Sequence, residues 1–495
     1  MLSLLATVFL VAVQSTPQLF VDTNVVADVN VGSTADAVQH RTVEINTSLL
    51  SRRTPLFDLN IFPSTNLTAV YKSTDSYSDG YVWRGIVQGH PDSSVDISVC
   101  QNAVMGTIRY DDIFYQIEYA GNDVHRVKLI DESRAPGCGN DVSHAIQSAA
   151  QQSVNNSNNN ARANTIIDVL VVYSTEAKNS TGGTNGMTSK INLAITESNS
   201  AYSLSGANQE LYVVHKEEMI GYTEPSSFSQ ILSDLAGTND GKMDSVHSLR
   251  DQYNGDCVAM ICKNGQYCGI AYLMTNVSPG FAGSAFSVTN YGCATGYYSF
   301  SHELGHNMGS SHDPQNASSG AYSYSFGFRT SNNQYRTVMA YSPGTRIKRF
   351  SGPSVSYNGN TMGNSSQDNV RSLNNTAATV ADFRIGTPPP PPGPVLTVPS
   401  LSAGSGAILA IADCTANGQV HFLYSTAGGG PTTTSYGIAD LSLPIKVITS
   451  MTANGSGDAS YWINIPAGAA GAQVWLQAYD HGSAKFSNGV YKVIF

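Results

Sequence analysis

The sequence predicts a multidomain chain with a β-rich N-terminal region, a central α/β domain and a C-terminal all-β sandwich. Three observations predict it. At 495 residues the chain is longer than one ordinary core, so two or three domains are expected. Short alternating apolar runs fill both ends, whereas the centre opens on a continuous apolar run followed by segments with helical spacing. A polar Asn/Ser/Gln-rich stretch and a polyproline run separate the three regions.

Residues 1–15, "MLSLLATVFLVAVQS", are an apolar run too short to span a bilayer and match the apolar core of a signal peptide, with cleavage near Ser15. The basic residues that usually precede such a core are missing, and a buried N-terminal strand is the alternative. No later segment is long and apolar enough for a membrane span, so a secreted, extracellular protein is expected. Residues 16–142 carry "TAVYKS", "YVWRGIVQG", "SSVDISVC", "VMGTIRY", "IFYQIEY" and "VHRVKLI", alternating runs separated by turn residues, which predict antiparallel strands. Residues 143–164 have nothing to bury and predict an exposed, protease-sensitive linker.

Residues 165–385 begin with "IIDVLVVYS", a run suited to a strand buried on both faces. A helical pattern over 187–203, a strand "ELYVVHKEEM", helices in "SSFSQILSDLAG" and "MDSVHSLRDQY", and a strand "DCVAMIC" follow. The region closes on a helix in which Val370, Leu373, Ala377, Val380 and Ala381 recur at helical spacing. Strands alternating with helices predict an α/β domain. Residues 386–394 form a stiff polyproline spacer, and 395–495 return to strand-like runs broken by Gly, Asn and Pro, which predict a small sandwich. The net charge of −10 argues against nucleic acid as a partner, because a phosphate-binding surface needs a basic patch.

The chemistry concentrates in "SFSHELGHNMGSSHD". His302 and His306, four apart, share one face of a helix and can present two imidazoles to a zinc ion. Glu303 then lies beside the metal, placed as a general base. Gly309 can end the helix in a sharp turn that swings His312 back as a third ligand. Three histidines leave one zinc position open, as a catalytic site requires.

This H-E-x-x-H-x-x-G-x-x-H string resembles the signature of the metzincin zinc metallopeptidases, and "YRTVMAYS" supplies Met339, which resembles their Met-turn. The resemblance implies a metzincin fold for 165–385 and endopeptidase chemistry by zinc-activated water, with Glu303 as base. Tyr341 stands where the astacin and serralysin branches carry a zinc-binding tyrosine that stabilises the transition state. Asp313, directly after the third histidine, instead resembles the reprolysin branch, which generally lacks that tyrosine, so the role of Tyr341 stays open between the two. Asp313 itself is expected to anchor the junction between helix and loop. "CGIAYLM", "SAFSVTNYGCATGYYSFSHELGHNMGSSHD" and "KRFSGPSVSYNGNTMGN" are similar to the bacterial peptidyl-Asp metalloendopeptidases, over about residues 166–384. That likeness implies protein or peptide substrates cut before aspartate, bound as an added strand along 268–274. An acidic P1′ residue needs a cation in its pocket; Arg346, Lys348 and Arg349 are the nearest basic cluster, with Arg329 and Arg336 weaker candidates and a solvated loop the alternative.

Seven cysteines are expected to pair in part. Cys268 and Cys293 flank the substrate strand and the helix start, and a disulfide between them is expected. Cys257 and Cys262, five apart in one strand, point to opposite faces and do not suit a mutual bond. Cys414 stands alone in the C-terminal region. "PGCGND" around Cys138 resembles the cysteine switch of metzincin propeptides, although it departs from the matrixin form after the glycine; the rival is a Cys100–Cys138 disulfide. A switch would make 16–142 the propeptide of a zymogen, removed within the linker near Arg162. The C-terminal sandwich is a candidate binder of carbohydrate or a surface, with core packing the default for Trp462 and Trp475. "NDGKMD" has the flavour of a calcium loop but lacks a full ligand set. Two rivals stand beside the aspartate-directed reading: a metzincin of broad specificity, and a catalytically dead adhesion module.

Overall fold

The computed structural model describes residues 16–25, 36–50, 54–77, 79–139, 145–146, 165–384 and 394–495. The leader at 1–15, nearly all of the linker with Arg162, and the polyproline residues 386–393 lie outside the described residues.

The alternating runs at the N-terminus form one nine-stranded antiparallel sheet. Its strands are β1 (Phe20–Asp22), β2 (Ala37–Ile45), β3 (Leu56–Phe62), β4 (Thr65–Tyr77), β5 (Gly80–Val87), β6 (Ser94–Cys100), β7 (Ala103–Tyr110), β8 (Ile113–Tyr119) and β9 (His125–Ile130), in the order β1-β2-β9-β8-β7-β6-β5-β4-β3. Two-residue links join β6 to β7 and β7 to β8; Gln101 and Asp111 take positive φ there, as tight hairpins require. One face packs Phe57, Leu59, Trp83, Ile97, Ile108 and Val127 into a core of its own. The other face is buried too, with Val82, Met105 and Tyr119 packed around Leu193 of the central region.

The central region is a five-stranded sheet, with β10 (Ala145–Ile146) paired separately to β15 (Leu273–Met274). The sheet contains β11 (Thr165–Ser174), β12 (Gln209–Met219), β13 (Cys257–Cys262), β14 (Gly269–Ala271) and β16 (Phe286–Asn290), ordered β12-β11-β13-β16-β14; all pairs are parallel except β14 with β16. Helices α1 (Thr175–Ser180), α2 (Thr184–Ser205), α3 (Phe228–Ala236), α4 (Ser245–Tyr253), α5 (Ser299–Asn307) and α6 (Asn369–Ala381) cover it. Ile167, Val169 and Val171 of β11 face one core, with α2, α5 and α6, while Leu170 and Val172 face the other, with α3 and α4. Burial on both faces is why the strand's centre, residues 169–172, is a continuous apolar run, although buried Asp168 interrupts the strand just before it. Cys257 and Cys262 fall into these two different cores, and neither is in a disulfide.

Helix α2 is rich in Ser, Thr and Asn yet buried nearly all round. Its polar face meets the N-terminal sheet through hydrogen bonds: Arg84 Nη2 donates to Ser200 Oγ (2.6 Å), Ser189 Oγ to the Ser98 carbonyl (3.0 Å) and Thr107 Oγ1 to Glu197 Oε1 (2.5 Å). Beyond residue 394 the chain is all β. Leu396, Leu409 and Ile411 of one sheet share a core with Val420, Phe422, Leu476 and Ala478 of another. Trp475 is buried in this region, whereas Trp462 is 59% exposed, against the expectation of core packing.

Candidate metal centre

Helix α5 presents His302 and His306 one turn apart, both buried. The helix ends at Met308, and Gly309 turns the chain at φ +84°. A side chain is excluded there twice over, because left-handed backbone favours glycine and a Cβ would meet that of Ala321 at 2.4 Å. His312 thereby returns to the helix, and the three Nε2 atoms lie 3.0 to 3.1 Å from one another. Nδ1 of His302 donates to the Val338 carbonyl (2.8 Å) and Nδ1 of His306 to the Ser310 carbonyl (2.9 Å). A carbonyl only accepts, so both rings carry their proton on Nδ1 and leave the Nε2 lone pair to ligate.

Burial holds all three imidazoles well below their usual range, His306 at about 4, and the neighbouring rings add to the effect for His302 and His312. They are therefore neutral at pH 7. Three neutral nitrogen lone pairs converging on one buried point fit a divalent cation of borderline softness such as zinc. Cys138 Sγ lies on the open side, 3.8 Å from His306 Nε2, and the four donor atoms lie within 4.8 Å of one another.

Glu303 stands against the same point. The Cys138 thiol donates to its Oε2 (3.6 Å), while Oε1 is buried without a hydrogen-bond partner. Burial pushes its pKa up to about 8, opposed by the Cys138 hydrogen bond and the charge of Arg346. Met339 lies directly under the helix: a Cβ on Gly305 would meet its Sδ at 2.7 Å, so this close approach requires glycine. Tyr341 sets its ring, tilted, 4.1 Å from that of His312 and donates its hydroxyl to the Cys138 carbonyl (2.9 Å). Buried Asp313 accepts from the Tyr341 amide (3.0 Å) and pairs with Arg329 (2.8 Å), joining the third histidine to the segment after Met339. Arg329, a weaker candidate for the substrate pocket, is thus engaged elsewhere.

The segment predicted to receive substrate is two short strands, β14 and β15, on either side of Tyr272. Their outer edge carries residues 137–139: the Cys268 amide donates to the Gly137 carbonyl and the Gly139 amide to the Gly269 carbonyl, each at 2.8 Å, with Cys138 bridged to Gly269 in parallel. The Cys268–Cys293 disulfide ties this edge to the segment before α5, and Asn307 of α5, whose side-chain amide donates to the Tyr272 (2.9 Å) and Phe286 (3.0 Å) carbonyls, ties it to the helix. The rival Cys100–Cys138 disulfide is not formed; Cys100 is buried at the end of β6, and only one disulfide is present among the described residues.

Arg346, Lys348 and Arg349 do not act together. Lys348 is bound to Asp96 in a buried ion pair, and Arg349 donates to the Lys348 carbonyl (2.9 Å) beside the Tyr357 ring. Arg346 is the one whose charge is felt at His302, Glu303 and His312. In the calcium-like loop, Asp240 and Asp244 accept from the loop's own backbone amides. Gly269 is a site residue that sequence reasoning passed over: a Cβ there would meet Glu303 Oε1 at 2.3 Å. The only trace in the sequence is a glycine inside a strand, a common mark of close approach. Glu132, beside Arg346, gave no signal at all.

A family model of reprolysin type, metallo-peptidase family M12, matches residues 140–351. A peptidyl-Asp metalloendopeptidase of Stenotrophomonas maltophilia (strain R551-3) is 36% identical over 313 residues, covering 60% of this chain and 72% of that one. One from Xanthomonas campestris pv. campestris is 32% identical over 378 residues, covering 71% and 87%.

Proposed function

Since the chain belongs to metallopeptidase family M12, we propose that it is a secreted zinc endopeptidase, made as a zymogen and directed to bonds before aspartate. One observation carries the reading: three histidine Nε2 atoms converge within 3.1 Å, with the Glu303 carboxyl and the Cys138 thiol against them. A zinc ion held by His302, His306 and His312 supplies Lewis acidity, polarising a scissile carbonyl and acidifying water.

The chain's own groups supply the rest. With Cys138 in place, Glu303 Oε2 is covered by the thiol. Withdrawal of residues 137–139 uncovers it to take a proton from the attacking water and pass it to the leaving amine. Burial brings its basicity near neutral pH, where a general base works best. The Tyr341 hydroxyl already donates to a backbone carbonyl in the cleft, that of Cys138, which supports its donating to the scissile carbonyl oxygen in turn. The edge of β14 offers a substrate the backbone groups that Gly137 and Gly139 now engage.

The zymogen reading rests on Cys138 at the metal-ligand cluster and on the N-terminal sheet packed against α2. Secretion is supported by the apolar leader and by the disulfide, which needs an oxidising compartment. No helix among the described residues is long and apolar enough to cross a membrane. The aspartate preference comes from the names of the relatives together with the basic residues after the Met339 segment, Arg346 in particular.

The test is cleavage-site mapping of the processed enzyme on a proteome-derived peptide library, with and without a zinc chelator. Chelator-sensitive cuts clustered before aspartate are expected. Chelator-sensitive cuts elsewhere refute the specificity alone, and no cuts refute the endopeptidase reading.

A further inference from the structure

Short strands β17 (Tyr335–Arg336) and β18 (Thr345–Arg346) run parallel and set Arg336 opposite Arg346. Both guanidinium groups are buried, and both donate to the Ala340 carbonyl between Met339 and Tyr341, at 2.9 Å from Arg336 and 3.4 Å from Arg346. Arg336 also donates to the Gly344 carbonyl (2.7 Å) and Arg346 to the Tyr297 carbonyl (3.0 Å). The Nε–H of Arg346 is buried with no hydrogen-bond partner. Two like charges side by side, one with an unmet donor, require an anion. The shared acceptor Ala340 directly precedes Tyr341, whose ring lies 4.1 Å from that of His312, so Arg346 sits beside the segment that carries the metal-site tyrosine.

The anion present comes from the 3-10 turn that follows β9 of the N-terminal sheet. Glu132 Oε2 accepts from the Arg346 amide (3.4 Å), and its other oxygen pairs with Arg109, which itself donates to the Gly296 carbonyl (3.0 Å). Against the upward push of burial, Arg109, Arg336 and Arg346 together hold the Glu132 carboxyl below its usual range. Two more acids of the same sheet hold the adjacent residues: Asp112 accepts from Thr345 Oγ1 (3.1 Å), and Asp96 pairs with Lys348. The basic segment is therefore covered by three carboxylates, one of which, Asp96, is the partner of Lys348, while Arg349 bonds to the Lys348 carbonyl.

We infer that Arg346, backed by Arg336, is the residue that reads the acidic side chain of a substrate, and that Glu132 supplies the matching negative charge while the N-terminal sheet is docked. This rests on the aspartate-directed reading above. Removal of the N-terminal region takes Glu132, Asp112 and Asp96 with it; Lys348 keeps the Glu197 carboxyl of α2 as a neighbouring charge, and the two adjacent guanidinium groups are left uncompensated. A carboxylate entering the subsite restores the balance and meets the open Nε–H. The same charges then serve twice, holding the zymogen closed and selecting the substrate.

The test uses the full chain, matured by its own processing, on two peptides that differ only in Asp or Asn at P1′. The wild-type ratio of kcat/KM is expected to favour Asp, and Arg346→Gln to lower that ratio on the order of 100-fold, with Arg346→Lys between. A wild-type ratio near one refutes the specificity reading; a preference that survives in Arg346→Gln refutes this inference alone. Should the variant fail to mature, the unprocessed chain decides through the rate of Cys138 alkylation in chelator, read by mass spectrometry. Glu132→Gln and Arg346→Gln are each expected to speed labelling about 10-fold, and the double variant no more than either alone. Unchanged rates, or effects that multiply, overturn the inference.

Discussion

Gly269→Ala tests the geometry around Glu303 most directly. The added Cβ would lie 2.3 Å from Glu303 Oε1 and 2.5 Å from its Cδ and Cγ. Ordinary contact needs a retreat of about 1 Å, in a side chain that is 1% exposed and has nowhere to swing. With Glu303 as the proposed general base, a displacement of that size is expected to cost on the order of 100-fold in kcat/KM, about 2.7 kcal/mol of transition-state stabilisation. Overpacking should also lower stability by about 1 to 3 kcal/mol. The histidines are untouched, so metal content should stay at the wild-type level. The assay is kcat/KM on a single-site fluorogenic peptide, with metal content by mass spectrometry and Tm alongside. Combining the change with Glu303→Gln separates a local effect from general damage, because a glycine acting through Glu303 adds nothing once the base is gone. A variant within threefold of wild type, or a double variant far below Glu303→Gln alone, would refute the reasoning.

Glu303→Gln should keep its metal and lose at least 10²-fold to 10⁴-fold in turnover; substantial residual activity would sink its assignment as base. Cys138→Ser in the unprocessed chain should release peptidase activity that the wild-type chain withholds, read with the same peptide, and equal silence in both would count against the switch. Opening the Cys268–Cys293 bond by Cys268→Ser should cost roughly 3 kcal/mol for a loop of 25 residues, seen as a lower Tm, and should slacken the edge that carries β14. His125 is buried at the start of β9, accepts from the Val104 amide through Nε2 (3.2 Å), and is held by burial at about 4 against 6.5 when unfolded. Its contribution is present above pH 6.5 and lost as pH falls through 4, about 3 kcal/mol, because the unfolded chain takes up the proton first. His125→Gln keeps an acceptor and should flatten the dependence of Tm on pH between 4 and 7; an unchanged slope would show that other groups carry it.

The sequence by itself determined what depends on short-range spacing. His302, His306 and His312 were legible as one ligand set because the helical repeat and the turn at Gly309 act within eleven residues. The buried strand β11 was legible for the same reason, since burial on both faces makes Val169, Leu170, Val171 and Val172 apolar without alternation. Tertiary structure alone decided what depends on surfaces meeting. It seated Cys138 over Glu303, 165 positions away, and brought Glu132 to Arg346, 214 away. It also buried the polar face of α2 against the N-terminal sheet. Local pattern reports which face of an element is apolar, whereas the partner of a charge is fixed by which surfaces pack together, and no spacing along the chain records that.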